Sequence, residues 1–338
     1  MKKLLLSMFA VATLYSCSNS DDDTTIPTNP DEKYLNGFFI TNEGNFTKAN
    51  ASVSHLSADY SNFTEDVFKA ANGKQIGDVA QSMVVTDKYV FVVVNNSNTI
   101  EVVNKKTFKS VHTITEGLNS PRYAVISNNK LYVTSLFDAS VAVYNAETFA
   151  FIKSIPLNFT SEKIVATNEY VYAANGFYST GKLVEVIDPK TDTNTVDITF
   201  ENAINGITTA GEFTYVLETN DSESKISKVS GTSAASSVAV NQAGVTNLTA
   251  DGNNLYYTAG TGIYKLNNSL ANSGSKLFDV AKGDDFSVLY GFNVINGTIF
   301  TSDAKGFTDK SLITIYNESG SKLKELTGGI GANGFYKF

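Results

Sequence analysis

Tryptophan is absent from this 338-residue chain, cysteine and arginine each occur once, and histidine occurs twice. These scarcities exclude whole classes of chemistry. A single cysteine rules out an intrachain disulfide, a cysteine-built zinc site and a Cys/His nucleophile pair. The two histidines, His55 and His112, sit in alternating strand-like patterns, where a packed or solvated ring is the expected role. No Gly-x-Ser-x-Gly elbow is present. Charged residues make up only 18%, and the balance is acidic, with net charge −8 and pI near 4.9. No run of Lys and Arg offsets that balance, so a phosphate-binding basic face is excluded. Long Ala/Leu/Glu/Lys blocks are missing beyond the first residues, which argues against helical bundles and doubly wound α/β folds. What remains is rich in Gly, Ser, Thr, Asn, Tyr and Phe, a profile of many short strands joined by turns.

The N-terminus bears on the compartment. Residues 1–16 read as a secretory signal: Lys2 and Lys3 form the positive region, and Leu4 to Leu14 is an apolar stretch too short to span a bilayer. Cys17 follows Leu14-Tyr15-Ser16, which resembles the bacterial lipobox, so Cys17 is the expected lipidation site; an ordinary secreted chain with a free thiol is the alternative. Residues 17–34, with Asp21-Asp22-Asp23 followed by a Thr/Pro/Asn-rich stretch, read as a solvated acidic tether. An acidic run behind a lipidated cysteine also resembles the signal that sends some lipoproteins to the outer face of the outer membrane. The expected anchor is therefore lipid alone, because the mature chain is too acidic to be held by anionic headgroups.

From residue 35 onward a repeat dominates. Lys88 to Phe108 aligns with Lys130 to Phe149: Val102-Val103-Asn104 maps onto Val143-Tyr144-Asn145, and Thr107-Phe108 onto Thr148-Phe149. Tyr170 to Asp188 supplies a third copy, and weaker copies run from Phe213, Leu255 and Ile299, with an upstream one from Phe38. Seven units share residues 35–338, about 43 residues each, the period of a β-propeller with four strands per blade. The segments leading into each unit, such as Val79 to Val85 and Tyr123 to Ser127, are the expected innermost strands. The first unit lacks one, and Gly334 to Phe338 is a spare strand of the right length. The expected fold is thus all-β, a seven-bladed β-propeller whose ring is closed by pairing the N-terminal strands with the C-terminal strand.

Tyr132-Val133-Thr134-Ser135 is close to the Tyr-Val-Thr-Asn signature of the YVTN, or YncE-like, seven-bladed propellers. Gly77-Asp78-Val79-Ala80-Gln81-Ser82-Met83, Val94-Asn95-Asn96-Ser97 and Pro121-Arg122-Tyr123 resemble the surface-lipoprotein branch of that group, of which the BtuG type is an example. The resemblance is strongest from 75 to 190 and loose in the last three blades. It implies a protein that binds a nutrient ligand and passes it to a TonB-dependent outer-membrane transporter, with cobalamin as first candidate and a ferric siderophore or haem as second. It implies neither a catalytic group nor a cofactor.

Candidate binding residues follow from propeller geometry. Loops entering the innermost strands and loops between second and third strands open on one face. There they collect Asn42, Glu43, Asn45, Phe46, Asn95, Asn96, Phe137, Asp138, Asn175, Phe177, Tyr178, Asn220 and Phe307, with Arg122, Tyr123 and Tyr290 nearer the channel. Exposed rings stack on a flat ligand while amides fix its orientation. Gly176-Phe177-Tyr178 places two aromatics at a turn, where they either bind ligand or cover a neighbouring blade. The lone arginine, Arg122, either holds a ligand carboxylate or phosphate or forms an internal pair with Asp78 or Asp138. Asp284-Asp285 and Asp221 with Glu223 show no calcium-loop spacing and read as solvated turns. Gly329 to Gly334 matches the dinucleotide fingerprint only formally, since no helix or acidic residue follows. Two rival functions remain open: a surface propeller that contacts only proteins, and a hydrolase or quinoprotein-like enzyme on the same fold.

Overall fold

The structure is a computed structural model that describes residues 33–34, 36–175, 180–283 and 287–338. Cys17, Phe177, Tyr178 and Asp284-Asp285 lie outside those residues. Among the described residues, twenty-eight strands form seven four-stranded antiparallel sheets. The innermost strands of blades 2 to 7 are Ala80–Val85, Pro121–Ser127, Lys163–Ala166, Ala203–Ala210, Thr246–Asp251 and Gly291–Ile295. The innermost strand of blade 1 is the chain end, Ala332–Lys337, which pairs with Phe38–Asn42. The ring therefore closes as the repeat count requires, and the first and last strands protect each other's edges.

Strand alternation builds the core. In the second strand of blade 2, Tyr89–Val94, the side chains of Phe91 and Val93 pack toward blade 3, whereas Val90, Val92 and Val94 pack toward blade 1. Each blade is thus apolar on both faces, and seven clusters of buried side chains fill the seven gaps between neighbours, the last joining Phe300 and Ile313 to Phe38 and Phe335. Tyr34, assigned to the tether by its position in the sequence, is packed in the gap between blades 1 and 2, and its N–H donates to the Lys106 carbonyl at 3.0 Å.

The repeated Asn or Asp after the third strand has a local cause. Asn104 Oδ1 accepts from the N–H groups of Lys106 and Thr107, Asn145 Oδ1 from those of Glu147 and Thr148, and Asp188 Oδ1 from that of Lys190. Each side chain closes an Asx turn, and the turn ends in a left-handed residue, Phe108, Phe149 or Asp192, before the outer strand begins. The chain also forms one short helix, Val67–Asn72, capped by Asp66, which buries Val67 and Phe68 against blades 1 and 2. It is the one α-helix among the described residues.

A second set of bonds ties the inner strands to one another. Asn205, Asn247, Asn293 and Asn333 each donate a side-chain N–H to a carbonyl beside or within the next inner strand, at Val245, Leu289, Phe335 and Gln81, over 2.8 to 2.9 Å. Ser82 and Thr134 continue the girdle to the Arg122 and Glu162 carbonyls. The girdle joins neighbouring blades around the channel, among them those that carry Gln81 and Arg122.

Candidate functional site

A cavity of about 490 Å³ opens at the channel mouth, walled by loops and inner strands of blades 1, 2, 3 and 7. Nine residues expected from the sequence line it: Glu43, Asn45, Phe46, Asn95, Asn96, Arg122, Phe137, Tyr290 and Phe307. Asn45 and Phe46 come from the loop after the first strand of blade 1. Phe46 and Phe137 leave about two thirds of their surface in solvent, 68% and 65%, so neither serves as core. Phe307 stands edge-on to Tyr290, with centroids 4.8 Å apart.

Other expected residues lie elsewhere. Asn42 is fully buried behind the wall, where its amide donates to Ser52 and Ser54 and accepts from the Gly329 N–H. Asp138 is on the rim and accepts from Asn119 at 2.8 Å. Tyr123 lies deeper in the channel, its hydroxyl 3.4 Å from Gln81 Nε2 and its ring 5.9 Å from Lys163 Nζ. Burial pushes the Tyr123 hydroxyl up and the Lys163 ammonium down from their ordinary ranges. Asp78 accepts from Thr47 N–H and Asn96 Nδ2, and so braces the two loops that carry Phe46 and Asn96.

Arg122 pairs with neither Asp78 nor Asp138. Its partner is Glu162, at the start of blade 4, which takes Nε at 2.8 Å and also Nη2, while Nη1 donates to Gln81 Oε1. The two side chains are each 18% exposed. Gln81, Arg122 and Glu162 were legible as a set in one respect: they stand 41 and 40 residues apart, one repeat each. Overlaying the repeats at the inner-strand position, rather than searching for unusual residues, would have found Gln81 and Glu162.

The opposite side of the floor holds Glu43. Tyr290 Oη donates to Glu43 Oε1 at 2.7 Å and Asn333 Nδ2 to the same oxygen at 2.8 Å. Burial pushes the Glu43 carboxyl above the usual carboxylate range, against the pull of those two hydrogen bonds and of Arg122. Asn333 in turn donates to the Gln81 carbonyl, so the floor is one hydrogen-bonded web from Tyr290 through Glu43, Asn333, Gln81 and Arg122 to Glu162. Among the described residues no group of three or more His, Cys, Asp or Glu gathers that could hold a metal ion.

A family described as Domain of unknown function (DUF5074) matches residues 36–333, the ring up to the start of its closing strand. The chain belongs to the DUF5074 family. No curated protein matches it. Among solved structures, this DUF5074 propeller is similar to a quinonprotein alcohol dehydrogenase-like protein of Bacteroides thetaiotaomicron, with 14% identity, TM-score 0.71, and 89% of this chain and 78% of that one covered. It is similar also to hydrazine synthase of Kuenenia stuttgartiensis, with 11% identity, TM-score 0.62 and coverage of 76% and 92%. The Pan2 WD40 domain of Neurospora crassa gives 13% identity, TM-score 0.61 and coverage of 80% and 83%. At such identities the likeness is one of fold.

Proposed function

We propose that this DUF5074 propeller captures a large, flat, partly apolar nutrient ligand at its channel mouth and delivers it to a TonB-dependent transporter, from a lipid anchor at Cys17 on the outer membrane. The observation that carries this reading is the wall of the cavity: Phe46 and Phe137 remain exposed beside Asn45, Asn96 and Gln81, whereas rings such as Phe39, Phe91 and Phe300 are fully buried in the blade gaps. Exposed rings interleaved with amides supply stacking area with hydrogen bonds at its edge. The reading assigns binding and no covalent step to the site.

The charges of the wall rank the candidates. Arg122 is neutralised by Glu162, and the remaining charged lining residue is Glu43. Haem, with its propionates, and ferric siderophores of the catecholate class bring negative charge to a wall whose arginine is already paired with Glu162. Cobalamin, an uncharged or cationic macrocycle fringed with carboxamides, fits better. Calorimetric titration with cyanocobalamin, a ferric siderophore and haem tests this. Affinity tighter than about 1 μM for cobalamin supports it. Binding to none of the three, with intact contact to a transporter, favours a propeller that serves protein contacts alone; Phe159, 50% exposed on the loop into blade 4, extends the apolar surface such a contact would use.

A further inference from the structure

Glu43 and Arg122 face the same cavity with complementary hydrogen-bonding capacity left over. The bonds from Tyr290 and Asn333 both end on Glu43 Oε1. Oε2 receives no hydrogen bond from the described residues, and it is not sealed from solvent, since Glu43 forms part of the cavity wall. Arg122 has five N–H groups. Three are used: Nε and one on Nη2 toward Glu162, and one on Nη1 toward Gln81. The floor therefore offers a free carboxylate oxygen and spare guanidinium N–H groups whose charge is already balanced.

We infer that the floor of the cavity recognises a primary carboxamide of the ligand, its carbonyl accepting from Arg122 and its NH2 donating to Glu43 Oε2. The inference rests on the ligand-capture reading and narrows it from a flat ligand to one that presents an uncharged amide at its edge. A carboxylate in the same place has no N–H for Glu43 and meets its charge instead. The electrostatic cost of that meeting is not offset by Arg122, because Glu162 already balances it.

Cyanocobalamin and its isomeric monoacids, each with a single carboxamide hydrolysed to a carboxylate, test the inference by titration of wild type and Glu43→Gln. Glutamine keeps an oxygen for Tyr290 and Asn333, and an unchanged melting temperature confirms that the variant is folded. In wild type, at least one monoacid is expected to bind at least about tenfold more weakly than the parent. In Glu43→Gln that isomer should recover most of the deficit relative to the parent, because the repelling charge is gone. Parent and all monoacids binding wild type equally overturns the carboxamide inference and leaves capture intact. A deficit that Glu43→Gln leaves unchanged overturns it as well. Binding of neither parent nor monoacids overturns the capture reading for this ligand, and the inference with it.

Discussion

Arg122 and Glu162 hold each other in a sheltered position, each side chain 18% exposed, and Gln81 shares the guanidinium. Removing one partner leaves the other charged and poorly solvated. Arg122→Ala is therefore expected to cost about 2–3 kcal/mol in urea denaturation, and Arg122→Ala with Glu162→Ala less than the sum of the two single changes. Phe137 stands at the other extreme. At 65% exposure, Phe137→Ala should leave the melting temperature within about 1 °C while weakening ligand binding by about tenfold, read by calorimetry. A third residue, Glu185, is fully buried in blade 4 opposite Asp197, with Oε2 unpartnered among the described residues. Burial, reinforced by Asp197 and opposed by the Asn158 N–H, pushes its carboxyl up to about 7. Because the folded value lies above the unfolded one, the contribution of Glu185 to stability is complete below the ordinary carboxylate range and is lost as pH rises through about 7. His55, pushed down to about 4 by its burial beside Tyr34 and Phe39, slopes the other way and loses stability as pH falls from its ordinary value. Melting curves from pH 4 to 8 should show Glu185→Gln gaining on wild type as pH rises toward 8; parallel curves would refute the assignment.

At the scale of the strand, two devices repeat around the ring: Asx turns outside and the amide girdle inside. Asn247→Ala removes a 2.8 Å bond to the Leu289 carbonyl between blades 6 and 7. It is expected to cost about 1 kcal/mol and to speed amide exchange in Thr246–Asp251 and Gly291–Ile295 before other strands. The two devices differ in how openly the chain announces them. The Asx turn is a local matter of a side chain and the next two or three N–H groups, so Asn104, Asn145 and Asp188 declare it at a fixed offset. The girdle bonds span one whole repeat, and Asn205 or Asn293 looks like any strand residue until the neighbouring blade is in place. The same distinction divides the candidate site. Phe46, Phe137 and Phe307 are visible as rings in turns, and so are Glu43 and Asn96 as loop polar groups. Glu162 is not, because nothing near it in sequence marks it as the partner of Arg122. Asn42, next to Glu43, shares its loop position but turns inward, which only the pairing of its strand with Ser52–Leu56 decides.

The whole molecule depends on closure. Ala332–Lys337 pairs with Phe38–Asn42 and sends Ala332 and Phe335 into the gap between blades 7 and 1, while Asn333 supplies Glu43 and Gln81 in the floor of the site. Ending the chain at Gly331 should therefore abolish cooperative unfolding near the wild-type temperature and remove ligand binding with it, since fold and site share the same strand. The central claim is that this closed ring presents its channel mouth to a nutrient ligand. Calorimetric titration of the mature chain with cyanocobalamin tests that most directly: the account predicts saturable one-to-one binding tighter than about 1 μM that weakens in Phe137→Ala, and the absence of any binding up to about 100 μM by a folded protein would contradict it.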